Sequence, residues 1–190
     1  VPNFNQMVGK LNADWTQRLL SGVLDYHPRP WLEQRMPAFP SRAQALAQGL
    51  AHRDGYGSSE PSPGRQDAAL AEIGAQLVSP AGGFNCVQCH AVGTEAATEV
   101  FEAPGINFAY THERLRRDFF HRWVENPQAI DPLSRMPAFF FDGRSPLTDV
   151  LGGDAQAQIA AMWEYLAAGR ALEAPVVETT EPESLESSFE

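Results

Sequence analysis

The sequence predicts an all-α protein. Apolar residues recur at helical spacing in several segments, no run alternates apolar and polar residues as a half-buried strand does, and the one chemically distinctive motif has no strand on either side. The first helix expected lies at 41–52, near the end of the first third of the chain. A second spans 66–78, where Leu70, Ile73, Leu77 and Val78 fall at helical spacing, Asp67 stands near the start and Gly74 leaves room for a close crossing. A third spans 112–125 and stops before Pro127, and a fourth spans 154–168 with Ile159, Met162, Trp163 and Leu166 on one side. Trp123, Trp163, Phe119, Phe120 and the run Phe139 to Phe141 supply aromatic bulk, more of it for an ordinary core than for a cofactor pocket.

The chain has two cysteines, and both lie in Cys86-Val-Gln-Cys-His90. This is the attachment signature of a covalently bound c-type haem. Two thiols three residues apart reach the two vinyl groups of one porphyrin while the next side chain turns toward the iron. Cys86 and Cys89 would be thioethers and His90 the proximal ligand. Two plainer readings compete. A zinc site needs four ligands, normally at paired spacings, and no second Cys-x-x-Cys exists, so only scattered histidines remain to complete the shell. A redox disulfide of the thioredoxin kind needs a βαβ context, which the flanks Ser79-Pro-Ala-Gly-Gly-Phe and Ala91-Val-Gly-Thr lack.

A haem iron held by one histidine has a second face to fill. Met136, 46 residues after His90 in Ser134-Arg-Met-Pro-Ala-Phe-Phe, is the favoured ligand. Pro137 bars a helix from running through that loop, and a loop methionine commonly partners a haem histidine. The plainer reading is a methionine filling an apolar gap. His112 and His121 are the competing ligands, although a solvated or propionate-facing histidine is the more ordinary outcome beside so many arginines.

With these residues in view, the segment 66–170 resembles the class I cytochrome c domain, in particular the type found in tandem in large multidomain proteins of planctomycete-like bacteria. The resemblance rests on Cys86 to His90, on Ala103-Pro-Gly-Ile-Asn-Phe, on Leu115-Arg-Arg-Asp-Phe-Phe-His-Arg-Trp-Val-Glu-Asn-Pro and on Arg135-Met-Pro-Ala-Phe. It implies a class I cytochrome c fold around one covalent haem c. Cys86, Cys89, His90, Pro104, Arg135 and Met136 would be the cofactor-binding residues, with His90 and Met136 on the iron. The resemblance also assigns to Pro104 the backbone carbonyl that accepts from the other nitrogen of His90, a bond that fixes ring orientation and basicity. The sequence departs from the family's more usual Gly-Pro-x-Leu form at Ala103 and at Gly105 and Ile106.

Arg35-Met-Pro-Ala-Phe repeats Arg135-Met-Pro-Ala-Phe at an interval of one hundred residues. The match extends backward, because Leu11-Asn-Ala-Asp-Trp-Thr-Gln-Arg-Leu-Leu aligns without gaps on Leu115-Arg-Arg-Asp-Phe-Phe-His-Arg-Trp-Val. Between arginine and methionine the first copy is four residues longer, and Pro2-Asn-Phe is similar to the Pro-x-Leu segment of the same family. An internal repeat changes the domain count. Residues 1–55 are expected to be a partial, haem-less cytochrome c-like repeat, 56–65 a linker, 66–170 the complete domain, and 171–190 an acidic tail or linker. There is no Cys before residue 86, so Met36 is expected to be a structural remnant unless a haem comes from elsewhere. Val1 is not an initiator methionine, and a fragment or processed chain is expected, because a half-domain of about 55 residues struggles to bury a core alone.

The formal net charge is −10, and the six Glu of 171–190, with no Lys or Arg among them, leave −4 on the rest. Nucleic acid is thereby an unfavourable partner. Arg114, Arg116, Arg117, Arg122 and Arg135 form a basic cluster, read equally as a steering or propionate-neutralising group and as a solvated helix face with local ion pairs. No stretch reaches the length of a membrane span and no signal peptide is visible. By resemblance, covalent haem attachment places the chain in the periplasm or another extracytoplasmic compartment of a bacterium. The leading function is electron transfer, not enzymatic catalysis, between redox donor and acceptor proteins, a fused or associated dehydrogenase among them. A peroxidase-like haem with a labile sixth ligand and a docking module whose haem is mainly structural are the alternatives.

Overall fold

The computed structural model describes residues 7–57, 65–99 and 104–175. Val1, Pro2-Asn-Phe, Ala103, most of the expected linker and the acidic tail from 176 onward lie outside the described residues. Among the described residues the regular structure is all-α, and extended segments pair only in isolated bridges. The helices are α1 (Met7–Lys10), α2 (Ala13–Ser21), α3 (Ala43–Arg53), α4 (Ala68–Val78), α5 (Thr111–Arg114), α6 (Arg117–Glu125), α7 (Pro127–Ile130) and α8 (Ala155–Leu166).

Caps explain where the two central helices begin. Asp67 Oδ1 accepts from Leu70 N at 3.1 Å to open α4, and Asp154 Oδ1 accepts from Ala157 N at 2.8 Å to open α8. The two helices cross at Gly74, where a Cβ would overlap the carbonyl oxygen of Ala161. Around that crossing lie Leu77, Ile159 and Leu166, all but sealed from solvent, with Phe120, Val124 and Trp163 from the same cluster. Each such side chain contributes about 1.5–3 kcal/mol on burial. Gln158 is equally buried, and its Nε2 donates to the carbonyls of Leu147 and Val150 at 2.9 and 2.7 Å, fixing the loop before α8.

The helix expected at 112–125 is two helices. Leu115 between them is extended (φ −100, ψ 146) because it pairs with Leu11 from the other repeat. Asn12 N donates to Arg114 O at 2.9 Å, and Arg116 N donates to Lys10 O at 3.0 Å. Leu11 and Leu115 are the residues the sequence repeat aligns, so the two hydrogen bonds are images of each other. The copies meet about a local two-fold axis at this point. The likeness then continues into α3 and α8, which both open on Ala-Gln-Ala, 43–45 and 155–157. Ala43, Ala47 and Ala51 are buried in α3 where Ala155, Ile159 and Trp163 are buried in α8.

Side chains reinforce the seam between the copies. Asn12 Nδ2 donates to the carbonyls of His112 and Glu113 at 3.3 and 3.0 Å, Arg18 pairs with Glu113 at 3.0 Å, and Tyr26 stacks on Tyr110 with centroids 3.6 Å apart. Arg114 lies over Trp15 and Arg116 over Tyr56, with 5.4 and 4.2 Å to the ring centroids. Both arginines are buried, so the expected solvated basic face is confined to Arg117, Arg122 and Arg135. Two expected boundaries also shift. Tyr56 packs on Ala13 and Ala51 instead of opening a linker, and Leu172 is buried while Tyr165 Oη donates to Glu173 O at 2.6 Å, so 171–175 belongs to the packed body.

Candidate haem-attachment site

The attachment motif sits on a short 3-10 turn, Cys86–Gln88, directly after Asn85 in the left-handed region (φ 54, ψ 43). Asparagine tolerates that conformation better than most residues. The turn is strapped to the end of α4, since Phe84 N donates to Leu77 O at 2.8 Å and Asn85 N to Ser79 O at 3.1 Å. Gly83 is required there because a Cβ would overlap the carbonyls of that helix end. His90 N then donates to Cys86 O at 3.0 Å, closing the turn.

Within this turn the two sulfurs differ. Cys86 packs against the main core and burial pushes its thiol up to about 12, whereas Cys89 is exposed. Both thiols are free. Among the described residues no group of three or more His, Cys, Asp or Glu is arranged to hold a metal ion, so the described residues assemble no zinc shell around the cysteines.

His90 is held on three sides. Its ring stacks on Phe108 at a centroid distance of 4.4 Å, Gly105 lies so close that a Cβ would overlap the ring, and Nδ1 bonds Ile106 O at 2.8 Å. A carbonyl only accepts, so Nδ1 carries the proton and Nε2 keeps its lone pair. Burial lowers the pKa of His90, with the Ile106 bond opposing, which favours the neutral form. A neutral imidazole with Nδ1–H on a carbonyl is the state an iron ligand needs. The acceptor is thus Ile106 and not Pro104. The chain must pass flat over the ring at Gly105 before a carbonyl can turn inward, two residues beyond the proline. Pro104 itself is half-buried beside this strap, whose register is fixed by Gly105 N donating to Cys89 O at 2.7 Å and by Asn107 Nδ2 donating to Gly93 O at 2.8 Å.

Met136 is half-buried and packs against the same core cluster as Cys86. The rings of Phe139 and Phe140, from its own loop, lie 5.0 and 5.2 Å from Phe84 beside the attachment turn. Three groups hold the methionine: Trp123 Nε1 donates to its Sδ at 3.1 Å, Gln128 Nε2 to its carbonyl at 2.6 Å, and its own N–H to Ser134 Oγ at 3.3 Å. Arg135 is exposed. His112 leans on Trp163 at 4.8 Å and His121 bonds Gln156 at 3.3 Å, so each has a local role. Gln128 carries no sequence signal that marks it as a site residue; Ile106, Phe108 and Trp123 lie in the segments on which the resemblance rests, but nothing in the sequence gives them these roles, and Gly105, the residue able to lie against the ring, signals where the strap turns.

The donor set fits a c-type haem: two free thiols, a neutral histidine with Nε2 available, and a thioether on a neighbouring loop. Set against known protein families, curated proteins and solved structures, the chain matches none. No helix of the described residues is long and apolar enough to cross a membrane.

Proposed function

We propose that this chain relays single electrons through one covalently bound haem c with His90 and Met136 as axial ligands, within a larger extracytoplasmic redox protein or complex of a bacterium. The observation that carries this reading is the His90 imidazole, with Nδ1 committed to Ile106 O and Nε2 left for a metal, set one residue beyond a pair of free thiols. When bound, the haem supplies a one-electron iron couple. The chain's own residues do the rest. Cys86 and Cys89 would hold the porphyrin, while Phe108, Gly105 and Ile106 fix the plane of the His90 ring, and Trp123 with Gln128 keeps Met136 in place. A relay needs both axial groups to stay put while charge changes, and a methionine held at sulfur, nitrogen and oxygen favours that use over a catalytic haem that must vacate its sixth position. Redox proteins are the partners this implies, a dehydrogenase among the donors.

The reading is tested by producing the chain with a haem-attachment system and measuring its mass under denaturing conditions. One haem should remain on the polypeptide and should be lost from the Cys86→Ser, Cys89→Ser double variant. A polypeptide that carries no haem under those conditions would sink the proposal.

A further inference from the structure

We infer that the exposed face of α3, together with the Met36 loop, receives the attachment half of a second cytochrome module: a helix that crosses α3 at Gly49, leading into a Cys-x-x-Cys-His segment whose covalent haem takes Met36 as its sixth ligand. This rests on the haem reading of Cys86 to His90 given above. What it adds is a second haem position, with the class of partner that fills it.

The argument comes from the chain's own two copies. Aligning α3 on α8 through Ala-Gln-Ala places Leu46 opposite Gln158 and Gly49 opposite Ala161. In the complete copy Gln158 and Ala161 are fully buried, and Ala161 is where α4 crosses at Gly74. In the first copy Leu46 is 42 % exposed, and among the described residues a Cβ on Gly49 meets nothing within 4 Å. The position where α4 crosses α8 is therefore bare on α3, and Gly49 there leaves a covering helix more room than Ala161 does.

The same contrast holds at the ligand loop. Met136 and Phe139 pack against the core and Phe84, whereas Met36 and Phe39, one hundred residues earlier, are 46 and 45 % exposed. Trp31 and Leu32, a few residues earlier in the same loop, are exposed as well. Isolated exposed apolar residues are ordinary, but Met36, Phe39 and Leu46 leave bare the positions whose counterparts Met136, Phe139 and Gln158 pack against the rest of the second copy, and that correspondence specifies the partner. The partner must bring an α4-like helix and its haem turn, since those are the parts that cover the second copy.

The test uses the full chain with a further copy of residues 65–99 joined ahead of residue 1 by a flexible linker and produced with a haem-attachment system. The product should carry two haems, both ferric irons low spin, with twice the sulfur-to-iron charge-transfer absorption of the unextended chain. Met36→Ala should halve that absorption. Gly49→Leu, placed where a Cβ meets nothing within 4 Å, should block the crossing and leave the added haem attached but high spin. An added segment that takes up no haem, an added haem that stays high spin, or a low-spin signal indifferent to both substitutions would overturn the inference. An unextended chain that never acquires haem at Cys86 and Cys89 marks failure of the first proposal, which separates it from failure of this one.

Discussion

The helices α3 and α8 begin with the same three residues and bury the same side, yet one is covered on its other face and one is not. On α8 the second face is sealed by α4 at Ala161 and by the loop of Leu147 and Val150 at Gln158. On α3 the matching positions, Leu46 and Gly49, face outward. The difference lies outside the two helices, in the segment that packs on them. Residues 65–99 provide a helix, a turn and a thiol pair for one copy, and the described part of the first copy has no counterpart. The two copies thus differ in a way that isolates what residues 65–99 contribute: a covered helix face at Ala161 and packing for the Met136 loop against Phe84.

Substitutions at the two equivalent crossings should break this comparison most visibly. Gly74→Ala drives a methyl group into the Ala161 carbonyl, a backbone atom that cannot yield cheaply, and should destabilise the chain by about 1–3 kcal/mol or more. Gly49→Ala meets open space in a helix interior and should stabilise by about 0.5–1 kcal/mol. Chemical denaturation of both variants checks the pair. Equal losses from the two would mean that the face of α3 is covered after all.

The seam should respond next. Asn12→Ala removes two donors from the carbonyls of His112 and Glu113, and a loss of about 1–2 kcal/mol is expected, measured as a lower denaturation midpoint at unchanged slope. A loss well below that range would mean that the copies are held together by the backbone bridge and ring contacts alone.

Lys10 gives a smaller and pH-dependent effect. It is the chain's only lysine, its Nζ lies 5.2 and 5.4 Å from the ring centroids of Phe119 and Trp123, and burial first, then Arg114 and Arg29, lower its pKa to about 8, with Asp131 opposing. The folded state then binds fewer protons than the unfolded state between pH 8 and 10.5, so this group's contribution to stability rises across that window. The gain should be on the order of 1–2 kcal/mol, the cation–ring contacts offsetting part of the burial cost. Burial raises the pKa of Tyr26 and of Tyr165, which work in the opposite sense above about pH 10. The quantity to measure is therefore the difference between wild type and Lys10→Met, which should shrink as pH rises from 8 to 10. A constant difference would contradict the assigned burial.

Much of the fold was legible in the sequence because its signals are local. Asp67 and Asp154 mark the starts of α4 and α8, and Gly74 marks their crossing. What escaped was set by contacts across the chain. Nothing in 112–125 announces that Leu115 must be extended, since the cause is Leu11, and nothing in the basic run tells Arg114 and Arg116, which are buried, from Arg117, which is not. The thiols and His90 were readable as a motif. The carbonyl partner was not, because the position of Ile106 depends on how the chain passes over the ring at Gly105. Trp123 could be read as core aromatic but not as the donor to Met136, a relation that only the packing of α6 on the methionine loop creates.

The most direct measurement is the near-infrared spectrum of the ferric, haem-bearing protein beside that of Met136→Ala. A low-spin iron with a sulfur-to-iron charge-transfer band in the wild type, absent from Met136→Ala while the haem stays covalently attached, is the expected result. A high-spin wild-type iron, or a band that survives loss of Met136, would contradict the assignment of His90 and Met136 as the axial pair.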